Sequence, residues 1–180
     1  MKRTQVHSRF LVAVVLAASV GCAWSASFAA QAPIGVAKKL VGTWKLVSIE
    51  ERDGSGKLVV PLDFGAEPAG VLTYDAAGNM SAQAGRRGRP RLDTEDVHRA
   101  PAEQVKTAFT GYAAYFGTYE VNERESIVIH HVEGSMLPNW EGGDQRRKFT
   151  LLGDKLILEP PAFQAKGEKR SRRLTWKRVQ

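Results

Sequence analysis

His131 and Glu133 are the two side chains whose types and spacing offer this chain chemistry. Two apart in a strand-like run, residues 126–133, they project from one face of a strand. An imidazole and a carboxylate so placed make a general acid–base couple for moving a proton on a bound carbonyl compound. With a further ligand from a neighbouring strand they would also suit zinc. A zinc site needs three protein ligands, however, and the sequence names no third: His130 points to the other face, and His98 stands alone. No metal and no cofactor is therefore assigned, and His131 and Glu133 stand as catalytic candidates only if the protein is an enzyme. The plainer reading is a barrel histidine hydrogen-bonded to Glu133 or to a tyrosine.

Other constellations are missing. There is no Gly-x-Ser-x-Gly elbow. Residues 85–88 open like a phosphate loop but lack its Lys-Ser/Thr ending. Residues 85–91, Gly-Arg-Arg-Gly-Arg-Pro-Arg, are the most basic run. They read as an anion-binding lid or as a solvated loop, and no aromatic is interleaved for stacking on nucleic-acid bases. Tyr74, Tyr115, Tyr119 and Trp140 carry amphipathic rings that suit a cup mouth, or a core. The candidate ligand contacts are Tyr74, Tyr119, His131, Glu133, Trp140 and Phe149.

The elements that must hold these residues are short strands. Residues 42–50 begin the first, rich in aromatic and β-branched side chains. Turns follow at Asp53-Gly54-Ser55-Gly56, at residues 75–79 and at Gly153-Asp154, a two-residue hairpin signal. Gly117 inside a strand marks a bulge or bend. Residues 101–114 form the one good internal helix, with Pro101 at its start and an apolar stripe of Val105, Phe109 and Tyr112. In all, the pattern predicts roughly nine antiparallel strands closing as a sandwich or barrel. Alternation turns Phe149, Leu151, Leu156, Leu158, Leu174 and Trp176 inward. Residues 127–133 are apolar on both faces, so something should cover the outside, and the helix stripe is the candidate.

The chain has 180 residues, enough for one domain. A basic start, an apolar stretch at residues 10–21 too short to span a bilayer, and Ser27-Phe28-Ala29 predict a signal peptide over residues 1–29. A linker at 30–41 and a domain at 42–180 follow. The expected location is secreted or periplasmic. Cys22, the one cysteine, gives a lipid anchor as the alternative and with it the sole membrane contact; cleaved at Ala29, the mature chain can form no disulfide. Net charge is +7 in all and +4 without the leader's Lys2, Arg3 and Arg9, too mild to call for nucleic acid.

Several segments resemble one family. They are Gly42-Thr43-Trp44-Lys45-Leu46-Val47-Ser48, Gly70-Val71-Leu72-Thr73-Tyr74-Asp75 with Gly78-Asn79-Met80-Ser81-Ala82-Gln83, Tyr115-Phe116-Gly117-Thr118-Tyr119, His130-His131-Val132-Glu133-Gly134-Ser135, Pro138-Asn139-Trp140 and Leu174-Thr175-Trp176-Lys177-Arg178. In order and spacing the chain is similar to the bacterial and fungal lipocalin-like domain proteins. The resemblance implies an all-β antiparallel barrel of roughly 8–10 strands with one internal helix, and a cup for a small hydrophobic molecule. It implies no fixed activity, although some fungal relatives are associated with cyclisation or isomerisation. Gly42-Thr43-Trp44 looks like the wider lipocalin Gly-x-Trp signature, in which a last-strand arginine, here Arg178, stacks on the Trp at the barrel base. Three functions follow as expectations: an exported carrier of a small hydrophobic ligand, an isomerase or cyclase using His131 and Glu133, and a filled barrel serving structure or interaction.

Overall fold

The structure, a computed structural model, describes residues 35–180; the signal-peptide and lipidation expectations lie outside them, as do the first five residues of the linker. Helix α1 (Val36–Leu40) leads into ten strands: β1 (Gly42–Arg52), β2 (Leu58–Val59), β3 (Pro68–Tyr74), β4 (Asn79–Arg86), β5 (Tyr112–Asn122), β6 (Ile127–Ser135), β7 (Asp144–Leu152), β8 (Lys155–Glu159), β9 (Phe163–Ala165) and β10 (Glu168–Arg178). Helix α2 (Ala102–Thr110) precedes β5, and a 3-10 turn, Pro138–Trp140, follows β6. All pairings are antiparallel, and β10 pairs with β1, closing β1, β3, β4, β5, β6, β7, β8 and β10 into an eight-stranded barrel. Closure leaves no free edge in the main sheet. The short strands β2 and β9 extend β1 and β10 beyond the rim.

Both ends of the barrel are built by specific residues. At the base, Trp44 is fully buried and donates its indole N–H to the Leu40 carbonyl, 2.8 Å. Arg178 lies over the Trp44 ring, 4.1 Å from its centroid, and donates to the carbonyls of Val41 and Lys39. The guanidinium on the indole thus takes the place that the Gly-x-Trp resemblance implied. Helix α1 plugs this end, its Ala37 N–H donating to Glu123 Oε1 in the β5–β6 turn, 3.0 Å. The lower interior is packed solid with Tyr74, Met80, Tyr119, Phe149 and Leu156. The side chains assigned inward by alternation in β7, β8 and β10 all face this core.

Two strand irregularities matter. Gly117 sits at a shift in the β5–β6 register, the bulge its position in a strand predicts. A Cβ there would run into the His131 carbonyl oxygen, so the close approach needs glycine. The second shift lies in β1 between Leu46 and Ser48. Trp44 and Leu46 point inward before it; Ile49 and Glu51 point inward after it.

The helix differs from expectation. It ends at Thr110, and Tyr112 already belongs to β5. Gly111 caps it through its N–H, which bonds back to the Thr107 carbonyl. No α2 residue is fully buried, and Phe109 remains 41% exposed. The helix packs on β5 at the barrel mouth rather than over the outside of β6. The outer apolar residue Ile129 is instead flanked in register by Glu120 and Arg146. Long charged side chains can shield such a position with their stems.

Candidate functional site

The mouth half of the barrel is open. An inner cavity of about 80 Å³ is walled by Leu72, Ala84, Leu158, Leu174 and Trp176. Above it lies a vestibule of about 550 Å³, to which α2 contributes Phe109 and Thr110 and the β8–β9 segment contributes Pro161 and Phe163. Phe64, Ala113, Trp140, Arg147, Pro160 and Arg172 line both spaces, so they form one funnel. The vestibule is in the size range of small-molecule sites, roughly 300–1,000 Å³, whereas the inner cavity admits only a small group.

At the bottom of the funnel stands His130. It is fully buried, and a tyrosine hydroxyl meets each ring nitrogen: Tyr74 Oη at 2.7 Å from Nε2 and Tyr115 Oη at 2.8 Å from Nδ1. Burial pushes the His130 pKa well below its ordinary value, and the positive charge of Arg147 and then His131 act in the same direction. The ring is therefore neutral and carries one proton. Burial also raises both tyrosines above their ordinary range. Hydrogen-bond satisfaction decides where the protons lie. Tyr74 is fully buried, with His130 as its hydroxyl's hydrogen-bond partner among the described residues. Were Nε2 the donor, the Tyr74 proton would be buried without an acceptor, which is costly. So Tyr74 donates to Nε2, and Nδ1–H donates to Tyr115. The Tyr115 proton remains available to the cavity that this residue lines.

The rim is stiffened by an ion cluster. Glu51, fully buried, lies opposite Arg172 in the β1–β10 register. Arg172 donates to its Oε2 from Nε and Nη2, at 3.0 and 2.6 Å, and Arg170 donates to its Oε1 at 2.9 Å. Arg172 also meets Asp63 and is sandwiched by rings, 4.9 Å from the Phe64 centroid and 4.6 Å from that of Phe163. Arg170 is further paired with Glu168. Arg147 differs: its donors go to Gln145 Oε1 and the Arg146 carbonyl, and among the described residues no carboxylate lies within ion-pair distance.

The sequence-based candidates separate on this geometry. Trp140 lines the funnel and packs edge-on against Tyr115, centroids 5.6 Å apart. Tyr74, Tyr119 and Phe149 belong to the packed lower core; Tyr74 reaches the site through His130, while Tyr119 donates to the Asp75 carbonyl. His131 and Glu133 lie on the outer face of β6, where His131 Nδ1 meets Asp144 at 2.7 Å and Glu133 is exposed. This corrects the expectation that the pair faces a ligand. The reason is strand parity: Val128, His130 and Val132 share the inward face, while His131 and Glu133 share the outer face with Ile129. Residues 127–133 are apolar on both faces, so alternation alone could not choose. The basic run also has local duties, with Arg86 donating to the Leu62 and Asp63 carbonyls and Arg89 to that of Ala108.

The reading from sequence missed His130, Arg147, Arg172 and Glu51. Two signals were present, since Arg147 shares the face of Phe149 and Arg172 that of Leu174, at period two. Glu51 gave none, because the β1 bulge reverses its face.

Comparison with known proteins agrees with this architecture. The profile of the lipocalin-like domain family matches residues 41–179. This chain belongs to that family. A relative of the lipocalin-like chain, the 4'-hydroxy-3'-methoxypropiophenone carrier protein of Aspergillus oryzae, is 35% identical over a stretch covering 56% of this chain and 96% of the fungal protein. A solved structure of an uncharacterised protein from Bacteroides eggerthii is similar at 13% identity and a TM-score of 0.40, over 78% of this chain and 99% of the other. The lipocalin-like barrel has its opening at the α2 end.

Proposed function

We propose that the protein is an exported carrier holding a small, largely apolar aromatic molecule in the funnel. The observation that carries this is the continuity of the inner cavity with an aromatic-lined vestibule of ligand size. The fungal relative is named for carrying an aryl ketone, a molecule of the size and character such a funnel holds. A filled barrel describes the lower half alone. An isomerase built on His131 and Glu133 would need them inside, and they stand on the outer face. Export rests on the leader-like residues 1–29.

Native mass spectrometry of the protein purified from its own host tests both parts. A co-purifying small molecule, lost in Trp140→Ala, supports the carrier reading. An empty protein that also ignores a panel of hydrophobic fluorophores counts against it. A mature mass beginning at Ala30 supports simple export, a lipidated Cys22 replaces it with an anchor, and an uncut chain removes the export reading.

A further inference from the structure

At the inner end of the funnel three donors, from Trp176, Tyr115 and Arg147, stand together beside the Gln83 amide. Trp176 lines the inner cavity, is 3% exposed, and buries its indole N–H without a hydrogen-bond partner among the described residues. Tyr115 accepts from His130 and keeps its own proton for the cavity. Arg147 brings a positive charge to the boundary of cavity and vestibule, with no carboxylate within ion-pair distance among the described residues. The nearby acids are already engaged, Glu51 by Arg170 and Arg172 and Asp63 by Arg172. A buried donor without an acceptor is costly, and a half-buried guanidinium whose donors meet neutral oxygens still attracts an anion.

We propose that the inner end of the funnel is an anion subsite, in which Arg147, the Tyr115 hydroxyl and the Trp176 indole N–H receive a phenolate or carboxylate oxygen of a mostly apolar aromatic ligand. This deepens the carrier reading and rests on it. The oxygen enters first, and the rest of the molecule lies in the vestibule against Trp140 and Phe64. Charge complementarity with Arg147 selects the ionised form.

Two probes test this: 4-hydroxypropiophenone, which can ionise at its phenol, and propiophenone, which cannot. Each is titrated calorimetrically into the folded wild type, Arg147→Met and Tyr115→Phe, with circular dichroism confirming the fold. Around the subsite, burial keeps His130 neutral and Tyr74 and Tyr115 protonated; Glu51 and Asp63 are paired with Arg170 and Arg172, and the arginines stay charged. Between about pH 6.5 and 9.5 the titrating partner is therefore the probe's phenol. The expected result is affinity for the hydroxylated probe that rises as its phenol ionises, with the phenolate absorbance band already present in the complex where the free probe is mostly protonated. Arg147→Met should remove that band and weaken the hydroxylated probe by about tenfold or more, leaving propiophenone within about twofold. Tyr115→Phe should give a smaller loss in the same direction. If both probes bind wild type alike, without pH dependence and regardless of Arg147, the subsite is overturned and the carrier reading stands. If neither probe binds wild type, the aromatic-carrier reading falls and the subsite with it.

Discussion

At the scale of single residues, His130 ties the packed half of the barrel to the open half. Its ring is neutral because burial opposes the charge, and Arg147 and His131 reinforce that. The linkage sign follows. An unfolded histidine takes a proton at a pKa of about 6.5, whereas the folded one resists protonation until well below that. The unfolded state therefore binds more protons in this interval. The contribution of His130 to stability is fully present above about pH 6.5 and is lost as pH falls towards the lowered folded value. Urea unfolding followed from pH 7.5 to 5, as an assay range of about two to three units, should show declining stability. The decline should be shallower in His130→Gln, which begins less stable at neutral pH because both tyrosine partners are disturbed. An equal slope in the two proteins would assign the acid sensitivity elsewhere.

At the scale of elements, the β5–β6 pair is shaped by its glycines. Gly117 meets backbone, the carbonyl oxygen of His131, while Gly134 meets the ring of Phe116, which is 56% exposed. A backbone atom in a closed barrel cannot step aside, but an exposed ring can turn. Gly117→Ala should therefore destabilise by on the order of 3 kcal/mol, and Gly134→Ala by about 1 kcal/mol or less. Chemical denaturation of both variants checks the order; a reversal would mean that the bulge relaxes more easily than the ring. Helix α1 is a second case. It is only five residues long, too short to be stable alone, and is held on the base by Arg178 and Glu123. Arg178→Met should cost about 2 kcal/mol through the lost indole contact and carbonyl bonds.

For the molecule as a whole, stability and binding are assigned to opposite ends. The base is filled and plugged; the mouth is open and stiffened by Glu51, Arg170 and Arg172. Arg178→Met should thus lower the melting temperature while leaving probe affinity within about twofold, and Trp140→Ala should do the reverse. Glu51→Gln tests the rim. Removing the one fully buried charge of the cluster leaves Arg170 and Arg172 only the exposed carboxylates of Glu168 and Asp63, and should cost about 3 kcal/mol. It should also weaken ligand binding, since Arg172 lines the funnel. Unchanged stability in Glu51→Gln would show that water already compensates the arginines.

The class of fold and much of its detail were legible in the local pattern of residues. Strand alternation turned Phe149, Leu158 and Trp176 inward, the Gly153-Asp154 pair made the β7–β8 hairpin, and Gly117 marked the bulge, because these signals are local and steric. The eight-stranded closure agrees with the family resemblance carried by motifs from Gly42 to Arg178. The site was less legible. Adjacent histidines on a strand with two apolar faces offer no local reason to choose one, and the choice fell to Tyr74 and Tyr115, 56 and 15 residues away. The β1 bulge likewise put Glu51 inside, beside arginines more than a hundred residues later. Tertiary structure decided these points because burial of a polar side chain depends on partners that only closure of the barrel brings within hydrogen-bond reach.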